Sequence, residues 1–165
     1  MRRFVAPAFA ICVGLLVGAQ APAPQPAPVP PIPPTTPYGT PITLDQAKRA
    51  ADAAEAEAKK RNMIMAIAIV EPTGDLVYFR KMDGTQYASI KIAQDKAISA
   101  ALFRRTTKSF RERIAQGDLS PMALAGAVAS DGGIPIVVAG KIVGAIGVSG
   151  GTDEPVAQAG AEALK

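Results

Sequence analysis

The stretch from Pro22 to Pro41 constrains the fold most, because ten of its twenty residues are proline. Proline has a fixed φ and no backbone N–H, so such a run can neither continue a helix nor occupy the interior of a sheet. The stretch also carries no charged residue, and it favours an extended polyproline II spacer. We therefore predict a disordered proline-rich linker over residues 20–41 and one folded domain over residues 42–165.

The residues ahead of this linker have the pattern of an export signal. Arg2 and Arg3 precede an apolar run from Phe4 to Val17, and small residues follow. An uncleaved anchor helix is the alternative, but the run is shorter than the roughly 20 residues that span a membrane. We predict a cleaved signal peptide over residues 1–19 and a periplasmic or secreted chain with no membrane span.

The complete absence of histidine excludes several kinds of site. Zinc sites built on imidazole, Ser-His-Asp nucleophiles and haem held by a proximal histidine all need that side chain. The net charge of +4 from 18 basic and 14 acidic residues falls to +2 once Arg2 and Arg3 are removed. Such a balance argues against nucleic acid as a partner.

Hydrophobic spacing and turn residues predict helices that alternate with β-hairpins. A capping box at Thr43 and Gln46 starts the first helix, whose apolar face we expect to contain Leu44, Ala47, Ala51, Ala54 and Ala58. The remaining helices are predicted over 87–103, 108–115 and 153–164, and the hairpin strands over 63–71, 76–82, 134–139 and 141–148. Because hairpins separate the helices, we expect an α/β chain of the α+β type with a largely antiparallel sheet.

Glycines near the end of the chain support two interpretations. Glycines within a strand, as at Gly144 and Gly147, often mark a close approach of two backbones. Alternatively, free amides at Gly150, Gly151 and Thr152, beside a helix N-terminus, can hold a carboxylate.

Five cations crowd into ten residues, at Arg104, Arg105, Lys108, Arg111 and Arg113. A solvated helix face is one interpretation, and binding of a ligand carboxylate or an acidic partner is the other. The carboxylates are scattered, and the sequence indicates no acid/base pair and no catalytic residue.

Short stretches, ordered over about 120 residues, resemble the GlcG/HbpS family, which includes the C-terminal domain of PduO proteins. They are Leu44–Ala47, Ala66–Val70, Gly74–Val77, Arg80–Gly84, Ala88–Ile90, Lys96–Ala97, Ala100–Arg104, Gly132–Ile136 and Gly144–Gly150. The resemblance implies a five-stranded antiparallel sheet with flanking helices, assembly into multimers and binding of haem or a related tetrapyrrole.

The resemblance also implies that a threonine hydroxyl lies at the iron, and the matching candidates here are Thr106 and Thr107. Without histidine, Tyr87 or a weak methionine ligand are the other options for the iron. A further option is binding of the porphyrin through apolar contacts, with its propionates on Arg104, Arg105 or Lys108. Such a haem should be held weakly.

These observations lead to one main hypothesis and two alternatives. The main hypothesis is an exported, non-catalytic, multimeric protein that binds or handles haem. The alternatives are a protein or enzyme that binds a small organic acid at Gly150–Thr152, and an oligomerisation module without a ligand.

Overall fold

The first helix begins where the capping box predicts. In the computed structural model, which describes residues 32–165, the Thr43 hydroxyl accepts from the Gln46 N–H and the Gln46 side chain accepts from the Thr43 N–H. The buried face of this helix consists of alanines, at positions 47, 50, 51, 54 and 58. Leu44, which we expected on that face, lies in the first turn and is 49% exposed. The small side chains let the helix pack closely on its neighbours.

The element order is helix, hairpin, two helices, hairpin, helix, as predicted. The helices are α1 (Leu44–Lys60), α2 (Ala88–Phe103), α3 (Thr107–Ala115) and α4 (Asp153–Glu162), and a short 3₁₀ helix covers Ser120–Ala123. The strands are β1 (Ala66–Val70), β2 (Leu76–Lys81), β3 (Gly133–Val138) and β4 (Lys141–Ser149).

The four strands form one antiparallel sheet in the order β2-β1-β4-β3. The side chains of α1 and α4 share one apolar cluster with one face of the sheet, and those of α2 share another with the opposite face. This sandwich explains why the central strand β1 is buried at all five positions. The predicted α+β class and antiparallel sheet are confirmed.

The described residues contain four strands, not the five that the resemblance implied. Beyond these four, Tyr38 forms an isolated parallel bridge with Ile142 of β4. Pro37 and Pro41 flank this bridge and have no N–H to donate, which prevents a longer ladder.

The end of the predicted linker is packed against the domain. The Tyr38 hydroxyl donates to the carbonyl oxygens of Ala101 at 2.9 Å and Leu102 at 3.2 Å. The Gly39 N–H donates to the Ile142 carbonyl, and the Ile142 N–H donates to the Pro37 carbonyl. The hydrogen-bonded part of the chain therefore begins before the predicted boundary at residue 42.

The predicted signal peptide, and the predicted linker up to residue 31, lie outside the described residues. Within residues 32–165, no helix has the length and apolar character needed to span a membrane.

Candidate functional site

Helix α2 places the predicted site residues at two distant ends of the domain. Tyr87 precedes the helix and Arg104 follows it, and at 1.5 Å per residue the two are about 25 Å apart. A hydrogen bond of 3.0 Å between the hydroxyls of Ser89 and Ser149 places the Tyr87 end beside Gly150–Thr152, which we call the β4–α4 loop. Residues 104–108 follow the C-terminal end of α2, and we call them the α2–α3 corner.

The two glycine amides of the β4–α4 loop are already bonded within the chain. Gly150 and Gly151 donate to one carboxylate oxygen of Asp153, at 3.1 and 3.0 Å. Thr152 is exposed, and its side chain makes no capping hydrogen bond to α4. A ligand carboxylate would have to displace Asp153 before it could use the two glycine amides.

The other oxygen of Asp153 binds Lys96 at 2.5 Å. Lys96 lies on α2, is 1% exposed, and also donates to the Val148 carbonyl at 3.1 Å. This pair is absent from the predicted site residues, although Lys96 falls at helical spacing between the buried Ala93 and Ala100, which is an unusual position for a lysine.

Two further contacts join α3 and α4 to the start of β3. The buried Thr107 hydroxyl accepts from the Gly133 N–H at 2.9 Å, and the Glu154 carboxylate accepts from the Gly132 N–H at 2.9 Å. Thr107 is completely buried, so an iron could reach its hydroxyl only if α3 moved away from β3. Burial raises the pKa of Glu154 above its usual range, and the Gly132 N–H opposes this effect only in part.

This raised pKa predicts a pH-dependent effect of Glu154→Gln. Because the pKa is higher in the folded state than in the unfolded state, the carboxyl favours folding most at low pH, and this contribution is lost as the pH rises through the raised pKa. Glutamine keeps an acceptor for Gly132 without the charge. The stability of the variant relative to the original chain should therefore increase between pH 4 and pH 7 in urea unfolding.

Glu162→Gln, at an exposed position of the same helix, is the matched control and should show a smaller pH trend. Equal trends in the two variants would contradict a special role of burial at Glu154.

At the α2–α3 corner, aromatic rings and carbonyl oxygens hold the two arginines. The Arg104 guanidinium lies 4.3 Å from the Tyr38 ring centroid and donates to the Thr36 carbonyl at 3.4 Å. Arg105 donates to the Phe103 carbonyl at 3.1 Å and lies over the Phe110 ring. Thr106 caps α3 by accepting from the Ser109 N–H, so the helix begins one residue before the predicted start at residue 108, which would have made Thr107 the cap.

The five clustered cations differ in their partners. Lys108 lies 3.9 Å from Glu112, Arg111 pairs with Asp131 at 2.6 Å, and Arg113 pairs with Asp118 at 2.7 Å. In the described part of the chain, neither Arg104 nor Arg105 forms an ion pair with a carboxylate. These two arginines are therefore the members of the cluster that can accept an external anion without breaking an ion pair.

Tyr87 is 85% exposed, and no residue in the range 32–165 accepts a hydrogen bond from its hydroxyl. Nearby, a cleft of about 400 Å³ is lined by residues 62–64, 84–86 and Gly150. The same range contains no group of three histidine, cysteine, aspartate or glutamate side chains that could hold a metal ion.

Comparison with known proteins assigns the whole domain. A family model described as "Haem degrading protein HbpS-like" matches residues 42–164. The chain belongs to the HbpS-like family.

Relatives of this HbpS-like domain agree with the assignment. Protein GlcG of Escherichia coli (strain K12) is 37% identical over 112 residues, which cover 67% of this chain and 84% of GlcG. The crystal structure of a double mutant of HbpS from Streptomyces reticuli is 31% identical, with a TM-score of 0.70 over 86% of this chain and 99% of that chain. A crystal structure of a PduOC–haem complex has a TM-score of 0.68 at 21% identity, over 76% of this chain and 96% of that chain. The predicted resemblance to the GlcG/HbpS family is confirmed.

Proposed function

We propose that this HbpS-like chain binds and handles haem or a related tetrapyrrole, as an exported and multimeric protein. The observation that carries the proposal is the family match over residues 42–164, in a family described by haem degradation. Export is proposed from the signal pattern in residues 1–19, and multimer formation from the family resemblance. That the chain is non-catalytic stays a prediction.

The side chains present fit a haem without a nitrogen ligand. The chain has no histidine, but Tyr87 presents an exposed phenol and Met122 is 73% exposed. Phenolate and thioether groups both serve as axial haem ligands in proteins. At the α2–α3 corner, the half-buried Thr106 offers a hydroxyl oxygen, while Thr107 is out of reach.

The α2–α3 corner supports the propionate end of such a ligand best. Arg104 and Arg105 are adjacent and make no ion pair within the described residues, and Leu102 beside them is 49% exposed. Guanidinium groups bind carboxylates through two parallel hydrogen bonds. A bound haem would supply the iron, while these residues would bind and orient the porphyrin.

The 25 Å length of α2 limits how one haem can be held. That distance exceeds the width of a porphyrin, so Tyr87 cannot reach the iron of a haem whose propionates lie on Arg104 and Arg105 of the same protomer. In a multimer, Tyr87 of a second copy is free of this limit.

Titration with haemin, followed by the Soret band, tests the proposal. We expect saturable binding, and at least a tenfold loss of affinity in the double variant Arg104→Asn with Arg105→Gln, since a tenfold change is about 1.4 kcal/mol and two charged contacts are lost. Asparagine is chosen at position 104 because Arg104 has a positive φ of 53°, which asparagine tolerates.

The matched control is Lys48→Gln with Arg49→Gln, which removes the same charge from exposed positions of α1. An equal loss in both double variants would show non-specific attraction. A Soret band that does not shift at micromolar haemin would overturn the proposed function.

A further inference from the structure

A groove of about 310 Å³ runs between β3 and the C-terminal part of α4. On the side of the domain its apolar walls are Ile134, Pro135, Val137 and Ala161, and Lys165 and Glu162 also line it. Ile32 and Pro33, where the described chain begins, form a further wall. Whatever precedes Ile32 therefore starts at this groove.

The outer edge of β3 is poorly suited to pair with an ordinary strand. The Gly133 N–H is taken by the Thr107 hydroxyl, and Pro135 has no N–H. Because alternate residues of a strand face the same edge, Gly133, Pro135 and Val137 turn their backbone groups outward. This edge presents carbonyl oxygens and a single outward N–H, at Val137.

The residues immediately ahead of Ile32 complement this edge. From Pro22 to Val29, proline alternates with alanine, glutamine or valine, and Pro30 and Pro31 follow. Such a segment is apolar and uncharged, like the apolar walls that the domain contributes to the groove, and each residue between two of its prolines keeps one N–H. At 3.1 Å per residue in the polyproline II conformation, residues 22–31 would reach about 30 Å, which exceeds the roughly 20 Å of a six-residue strand.

We propose that residues 22–31 bind back into the β3–α4 groove of their own protomer. The proline-rich stretch is then a strap on the domain instead of the free tether that its composition predicts. The proposal does not depend on haem binding, because the groove is formed by β3, α4 and residues 32–36.

A spin label at residue 25 tests where the segment lies. Gln25→Cys, combined with Cys12→Ser, gives the full chain a single cysteine, since Cys12 is its only natural one. A nitroxide there should cause loss of the amide NMR signals of Val137 and Lys165 but not of Val77 on β2, at the opposite edge of the sheet. Full retention of the Val137 and Lys165 signals would overturn the proposal.

Two further samples identify the occupant. Replacing Pro24, Pro26, Pro28 and Pro30 with serine keeps the length and should restore the lost signals. If the loss persists, the label lies near the groove only because it is attached close to Ile32, and the proposal is overturned. In a mixture of spin-labelled chain and isotope-labelled chain without nitroxide, the Val137 signal should be retained. Its loss there would show that the groove takes the segment of a second copy, against the proposal.

Discussion

Gly147→Ala should either unfold the domain or push α2 off the sheet. A Cβ atom at this position of β4 would lie 2.0 Å from the Ala93 carbonyl oxygen and 2.5 Å from the Ala97 nitrogen. Both are backbone atoms of α2, so no side-chain rotation can relieve the overlap. Overpacking of a core commonly costs 1–3 kcal/mol, and we expect about 3 kcal/mol or more here, measured as a lower urea midpoint.

Gly151→Ala is the control for this substitution. A Cβ atom there would first meet the Met63 sulfur at 3.2 Å, which is the flexible part of a side chain and can move. We expect a cost under about 1 kcal/mol, as for most tolerated surface changes. If the two variants lost equal stability, close packing of α2 on β4 would not be the cause.

Asp153→Asn should destabilise the domain by about 3–5 kcal/mol, the usual cost of leaving one member of a buried ion pair alone. The asparagine oxygen can still accept from Gly150 and Gly151, so the substitution isolates the effect of charge. Lys96, at 1% exposure, would keep the Val148 carbonyl as its remaining hydrogen-bond acceptor within the described residues. Urea unfolding at pH 7 measures the loss.

The double variant Lys96→Met with Asp153→Asn distinguishes a lost pair from a damaged loop. Removal of both charges leaves no buried ion without a partner, and apolar replacement of such pairs is often nearly neutral. We therefore expect the double variant to recover most of the stability that Asp153→Asn loses. Purely additive losses would show that the two residues are not coupled.

Local patterns in the sequence predicted the elements well, because caps, hairpin turns and helical spacing act between near neighbours. Thr43 with Gln46 is such a pattern. The candidate site depends on contacts between distant positions, such as Lys96 with Asp153, 57 residues apart, and Tyr38 with Ala101, 63 apart. No local pattern encodes these contacts, and for that reason one of the two interpretations of the glycines takes their amides to be free.

The N-cap of α3 is a second feature that local patterns in the sequence do not decide. Thr106 and Thr107 both precede a helical pattern, and either could cap it. The structure assigns the cap to Thr106 because Thr107 is held by the Gly133 N–H across 26 residues. A tertiary contact thus decided a local boundary.

The buried ion pair also has a consequence for the order in which the chain folds. Lys96 lies in the middle of the chain, whereas Asp153 belongs to the last helix, α4. Until that helix is made, a nascent chain that packs α2 on the sheet must bury an uncompensated ammonium group, which is costly. Packing of α2 onto the sheet is therefore disfavoured until Asp153 is available to pair with Lys96.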